Sequence, residues 1–166
     1  MQVNIALLTV TDTRNIDTDK SGKILVEKIK EQNHNLVDRK IIKDEKNEIK
    51  IILSEWIKKD NIDVIITTGG TGLTGRDITP EAIKDISDKE ITGFGELFRQ
   101  LSYKTVGTSA IQSRACAVLA NGKYIFALPG SSGGVTDAWE GILKYQLDIN
   151  HKPCNFVELF PRLKEK

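Results

Sequence analysis

Asp63–Ala82, DVIITTGGTGLTGRDITPEA, decides how the rest of the chain is read. It opens on Val64-Ile65-Ile66, a β-branched apolar run bounded by turn formers, which predicts a short strand buried on both faces. A loop follows in which Gly69, Gly70, Gly72 and Gly75 alternate with Thr67, Thr68, Thr71 and Thr74. Thr79-Pro80-Glu81-Ala82 then opens a helix. Thr79 suits the N-cap, Pro80 the first helical position and Glu81 the positive first turn. Strand, bare loop and helix N-terminus together make an anion site. Backbone N–H groups can approach a phosphate closely there, and the helix dipole favours negative charge. Arg76 and Asp77 stand between loop and helix, a cation suited to phosphate and a carboxylate suited to a metal.

Two familiar motifs fit this stretch poorly. Gly70–Gly75 matches G-x-G-x-x-G, the mark of a dinucleotide-binding oxidoreductase, but there the helix begins inside the motif and after the first strand. Here the helix starts about four residues past Gly75 and two strands precede it. The carboxylates about 20 residues on, Asp88 and Glu90, fall in or just after the following helix rather than at a strand end. The same glycines space like a P-loop, but Arg76-Asp77 stands where Lys-Ser/Thr is needed.

A chain of 166 residues with 39% apolar and 28% charged residues reads as one globular domain, 1–166. A net charge of +1 provides no field to draw the chain to nucleic acid or to a membrane surface. Cys116 and Cys154 are too few for a disulfide framework and read as reduced packing thiols of a cytoplasmic protein. The N-terminal MQVNIALLTVT has no basic region and reads as a strand rather than a signal or spanning segment.

Val3–Val10 suits a central parallel strand and ends in Thr9-Val10-Thr11-Asp12-Thr13-Arg14, at the edge where α/β sheets collect ligands. Thr11 and Asp12 can meet that ligand, or Asp12 and Arg14 can pair with each other. Asp17–Asn33 reads as a helix capped by Asp17, Thr18 or Asp19. Gly22 either costs helix stability or admits a ligand or neighbouring chain. Asn35–Lys43 is a more polar strand, expected near the sheet edge. Ile49, Ile52, Leu53, Trp56 and Ile57 space as a helix face, with Asp44 or Asn47 as cap. Phe94, Leu97, Phe98 and Leu101 mark another helix over Gly93–Tyr103, while Gly93-Phe94-Gly95-Glu96 leaves room for a flat ring or a loop. Ser109 and Ser113 suit caps of short turns, and Arg114 is a candidate phosphate ligand. Asn121-Gly122 between Ala115–Ala120 and Tyr124–Leu128 is a hairpin signal, so an antiparallel pair joins a mainly parallel sheet. Leu128–Gly134, LPGSSGG, is a second small-residue loop before a helix over Val135–Leu147. Two such loops on one edge suit a ligand with phosphates at both ends. Phe156, Val157, Leu159 and Phe160 of the tail must pack on the domain or on another subunit. His34 and His151 read as surface residues of polar turns.

TTGGTGLTGRDITPEA, with TVTDTR, RKIIKDE, GFGELFR, QSRA and ALPGSSGG in order around it, resembles the MoaB/MogA family over residues 3 to about 157. QSRA, Trp139-Glu140 and PCNF resemble its MoaB branch. The resemblance implies a three-layer α/β/α fold, a mainly parallel sheet with an antiparallel hairpin strand, and homotrimers or homohexamers. It implies late steps of molybdenum cofactor biosynthesis: Mg²⁺-dependent adenylylation of molybdopterin by ATP, giving AMP-molybdopterin and pyrophosphate. Other assembly proteins are possible partners. The family's two important aspartates match Asp44 and Asp77, implied as catalytic residues and Mg²⁺ ligands. Substrate contacts are expected at Thr11, Asp12, Gly69, Gly70, Thr71, Gly72, Arg76, Ser113, Pro129, Gly130 and Ser131. The chain departs at Ser132, where many relatives have proline. A catalytically idle member that binds or scaffolds molybdopterin is the alternative reading.

Overall fold

The structure, a computed structural model, describes residues 1–165. A six-stranded sheet runs in the order β2-β1-β3-β6-β5-β4. Its strands are β1 (Asn4–Val10), β2 (Asn35–Ile42), β3 (Val64–Thr68), β4 (Lys89–Glu90), β5 (Cys116–Ala120) and β6 (Lys123–Leu128). The β2, β1, β3 and β6 strands are parallel; β5 runs antiparallel to β6 and pairs with β4. The polar β2 lies at one edge, as its sequence implies. The Asn121-Gly122 turn takes φ of 49° and 72°, the double positive φ of a type I′ hairpin. The two-residue β4 has no sequence pattern and was not expected; it caps part of the β5 edge.

The strands alternate their side chains between two apolar layers. On one face Ile5, Leu7, Val64, Ile66 and Phe126 pack under α1 (Lys20–Glu31), α4 (Thr92–Val106) and the helical run from α5 (Ser132–Ala138) through a π-helical stretch (Trp139–Leu143). On the other, Ala6, Leu8, Ile65 and Ile125 pack under α2 (Lys46–Trp56) and α3 (Thr79–Asp85). This is the three-layer α/β/α arrangement, and it places every βα loop of the parallel strands on one edge. The tail packs on the domain itself: Phe156 and Phe160 lie against Tyr124, with ring centroids 4.7 Å and 5.8 Å apart. Among the described residues no helix is long and apolar enough to cross a membrane.

Several local expectations are corrected. The N-cap of α3 is Ile78, not Thr79; the Thr79 hydroxyl donates instead to the Gly69 carbonyl at 2.9 Å. Neither Asp44 nor Asn47 caps α2, whose N-cap is Glu45 without a side-chain bond. His34 is buried, and its Nδ1 accepts from the Val3 N–H at 3.3 Å. Phe94 packs between Phe98 and Phe126, and a Cβ on Gly95 would press on the Ala115 carbonyl and Arg99, so Gly95 serves packing, while a Cβ on Gly93 would meet nothing. Cys116 is partly buried, and burial pushes its thiol up to about 11.

Asp19 settles the cap of α1. It is fully buried, accepting from the Gly22 N–H at 2.9 Å and the Thr9 hydroxyl at 2.6 Å, and pairing with Arg39 at 3.0 Å. A side chain on Gly22 would collide with that carboxylate and with Thr9. Burial pushes the Asp19 carboxyl up, but Thr9, Gly22 and Arg39 outweigh it and hold it below the ordinary value. Its contribution is therefore present above pH about 4 and lost as pH falls through the lower folded value. Asp19→Asn should cost about 3 kcal/mol in urea unfolding at pH 7, and the gap to the parent should narrow in acid.

Candidate functional site

Three neighbouring parallel strands end in loops that touch. Gly69 follows β3 at φ 101°, and a Cβ there would overlap the Val10 carbonyl at the end of β1. Its N–H donates to the Leu128 carbonyl at the end of β6, at 3.0 Å. Gly130 lies against Gly69 on the other side. Gly70 is also left-handed, at φ 66°, and a Cβ would run into Thr79 and Asp44. Glycine is needed at 69 for conformation and for room alike.

These loops wall a cleft of about 890 Å³. Thr11, Asp12, Asp44, Gly69, Gly70, Thr71, Gly72, Asp77, Ser113, Pro129, Gly130 and Ser131 all line it. Of the residues singled out from sequence as ligand contacts, Arg76 and Arg114 stay outside the cleft. The Arg76 guanidinium grips both Asp12 carboxylate oxygens, at 2.9 Å and 3.0 Å, and reaches Glu45 at 3.0 Å. It braces the loop from outside, and Asp12 pairs with it rather than with Arg14. Arg14 donates to the Gly130 carbonyl at 3.1 Å, steadying the second loop. Arg114 also turns away from any phosphate; its guanidinium is spent on Gly72, Asp77 and Glu81.

Sequence reasoning missed part of the lining. Thr9, Ser21 and Thr68 form the floor, tied to the Asp19 network and, through the Thr68 hydroxyl, to the Pro129 carbonyl at 2.8 Å. Phe98, Ser102, Thr105 and Asp137 form a far wall, where Thr105 donates to Asp137 at 3.2 Å. Helical spacing marked Phe98 for packing, and nothing local in the sequence brings the others to this edge. Ser132, the departure from the family pattern, starts α5 just outside the lining, its carbonyl accepting from Thr136. The Ser131 hydroxyl caps that helix by accepting from the Gly134 N–H at 3.1 Å.

The two matched aspartates differ in state. Burial pushes the Asp77 carboxyl up, but the Thr74 hydroxyl at 2.7 Å, the Thr74 N–H at 2.9 Å and the Gly72 amide outweigh it and hold it low. Asp44 is held high, by burial first and then by the charges of Asp12 and Asp77. Among the described residues neither Asp44 nor Asp77 forms an ion pair, and no three acidic, His or Cys side chains converge to hold a metal alone. Two unpaired carboxylates facing an open cleft fit the donor set of Mg²⁺, which takes one or two protein carboxylates and completes its shell with phosphate oxygens and water.

A family model described as "Probable molybdopterin binding domain" matches residues 6–148. Molybdenum cofactor biosynthesis protein B of Escherichia coli (strain K12) is 45% identical over 161 residues, covering 97% of this chain and 93% of that protein. Its namesake in Staphylococcus aureus (strain MRSA252) is 50% identical over 149 residues, 88% of each. A crystal structure of a molybdenum cofactor biosynthesis protein B superposes with a TM-score of 0.89 at 38% identity, over 100% of this chain and 98% of that one.

The raised Asp44 carboxyl has a stability consequence. The folded state holds this proton more tightly than the unfolded state, so stability falls as pH rises from the ordinary carboxylate value through the raised one. Above that window the cost is fully present. Asp44→Asn should raise Tm at pH 7 by about 1–3 °C, and the gain should vanish below pH about 3.5. Thermal melts of both proteins at the two pH values check this.

Proposed function

The chain belongs to the MoaB/MogA family of molybdenum cofactor biosynthesis proteins, and from that premise we propose that it adenylylates molybdopterin using ATP and Mg²⁺. The observation that carries the reading is the placement of Asp44 and Asp77. They come from different elements, after β2 and in the glycine loop, and line one cleft with the Gly69–Gly72 main chain.

The phosphate of molybdopterin attacks the α-phosphorus of ATP; the new P–O bond forms as the bond to the β-phosphate oxygen breaks, and pyrophosphate leaves. No protein nucleophile is needed. The residues' task is to hold two anions together and to stabilise the charge that builds at the α-phosphate. Gly70 and Thr71 offer backbone N–H donors to the cleft, those of Gly69 and Gly72 being engaged by Leu128 and Asp77. Asp44 and Asp77 would hold Mg²⁺, which when bound neutralises phosphoryl oxygens and assists the departure of pyrophosphate. Thr74 fixes the Asp77 carboxylate, so its ligand oxygens are oriented before substrate arrives. Pro129-Gly130-Ser131, steadied by Arg14, forms the facing wall.

The cleft's charge favours a cation requirement. Its lining carries Asp12, Asp44, Asp77 and Asp137 against Arg14 alone, and of these four Arg76 pairs with Asp12. Two phosphorylated substrates would be repelled from such a wall without a divalent ion. Exposed Leu97, Tyr103 and Val106 on α4, with Ile111 at 83% exposure just beyond, support a homo-oligomer.

Incubation with molybdopterin, ATP and Mg²⁺ tests the reading directly, with AMP-molybdopterin and pyrophosphate as products. Asp77→Asn should lower turnover by about 10²-fold or more and leave molybdopterin binding within about threefold. Normal turnover in that variant would remove Asp77 from the chemistry. A parent protein that bound molybdopterin but released no pyrophosphate would leave the idle, scaffolding alternative.

A further inference from the structure

Arg114 was read from sequence as a phosphate ligand, and the structure gives it another occupation. Its Nε donates to the Gly72 carbonyl at 2.7 Å and its Nη2 to the Asp77 carbonyl at 2.8 Å. The same guanidinium pairs with Glu81 on α3, and its backbone N–H donates to the Thr71 carbonyl at 2.9 Å. We propose that Arg114 is the positioning residue of the glycine loop, clamping both ends of the Gly72–Asp77 excursion so that the Asp77 carboxylate is presented at a set place. This rests on the adenylyl-transfer reading above.

Apart from the exposed Arg76, whose guanidinium grips Asp12 and Glu45, the excursion has little else to hold it. Leu73, Thr74 and Gly75 are exposed, and a Cβ on Gly75 would meet nothing. The Thr74–Asp77 bonds close the loop on itself and do not anchor it to the domain. Arg114 supplies the less exposed of its two anchors, and the one tied to the sheet, because it stands at the entry to β5, a strand paired on both sides. A guanidinium is a planar fork of five donors, so one side chain can bond two carbonyls and a carboxylate at once. Lysine, with a single ammonium, cannot reproduce the fork. Glu81 balances the charge and lines the guanidinium up with the start of α3. The clamp works through Asp77 and touches no substrate.

Behind the clamp a second cavity of about 560 Å³ is lined by Pro80, Arg99, Arg114 and Cys116, among others. Arg114 lines this cavity and not the cleft, so a small cation has a path to the place of a deleted side chain.

Arg114→Gln and Arg114→Gly separate positioning from simple support of the fold. In Arg114→Gln, kcat should fall and the Mg²⁺ concentration for half-maximal rate should rise about 10–100-fold, while KM for molybdopterin stays within about twofold. Amide exchange in ligand-free protein should quicken about tenfold across residues 71–78 with little change in β3 or β6. Guanidinium ion at about 20 mM, far below denaturing levels, should restore part of the turnover of Arg114→Gly and none in Asp77→Asn. Parental kcat and Mg²⁺ dependence in Arg114→Gln would overturn the proposal. So would a loss in which KM, Tm and exchange throughout the sheet move together. If Arg114→Gly does not fold, Arg114→Lys replaces it, and its full recovery of Mg²⁺ affinity would equally overturn the fork argument. If the parent protein forms no AMP-molybdopterin, the functional reading fails, and the exchange measurement still decides the clamp.

Discussion

Main chain packed on main chain at one sheet edge is the contact on which this structure depends. Gly69 sits between the Val10 carbonyl at the end of β1 and Gly130 beyond β6, and its N–H is taken by Leu128. Any side chain at 69 would force β1 and β3 apart at their carboxyl ends. Because the three strands close up there, three loops share one cleft. Asp44 reaches it too, since β2 pairs with β1 through Val10 and Ile42. The sheet order and the site are consequences of the same packing.

Charge is the second theme of that edge. The fold brings Asp12, Asp44 and Asp77 near enough to interact, then treats each differently. Arg76 compensates Asp12; Thr74 and backbone amides hold Asp77 ionised; Asp44 is left to be raised by burial and by its neighbours. A site arranged only for stability would have paired or removed these groups. On the proposed reading a bound cation supplies the counter-charge to Asp44 and Asp77 and holds phosphates there. Arg14, Arg76 and Arg114 are all engaged with protein groups, which on that reading leaves backbone amides and a cation to meet the anions.

Most of the fold was legible from local pattern. The β-branched runs, the Ile49–Ile57 spacing and Asn121-Gly122 each express a period or a turn that needs no distant partner. So did the glycine loop, because close backbone approach demands glycine wherever it occurs. What escaped reading was partner choice across the chain. Arg76 and Asp12 lie 64 residues apart, and Arg114 and Glu81 33 apart, so nothing adjacent in sequence tells a guanidinium which carboxylate or carbonyl it will meet. His34 escaped for the same reason: its Nδ1 meets the Val3 N–H, 31 residues away at the entry to β1. β4 is too short to carry any pattern. Thr79 had the residue type of a cap, yet Ile78 holds the cap position and the Thr79 hydroxyl donates to the Gly69 carbonyl. Asp137 and Thr105 come to the cleft wall from two helices whose packing, rather than whose sequence, joins them.

The central claim is that phosphoryl groups collect at the Gly69–Gly72 main chain beside a metal held by Asp44 and Asp77. A crystal soaked with a non-hydrolysable ATP analogue and Mn²⁺, with the ion located by its anomalous signal, tests it most directly. The account predicts the triphosphate within hydrogen-bond reach of the Gly70 and Thr71 amides and an anomalous peak at the Asp44 and Asp77 carboxylates. A triphosphate seated elsewhere, with no ion at either aspartate, would contradict it.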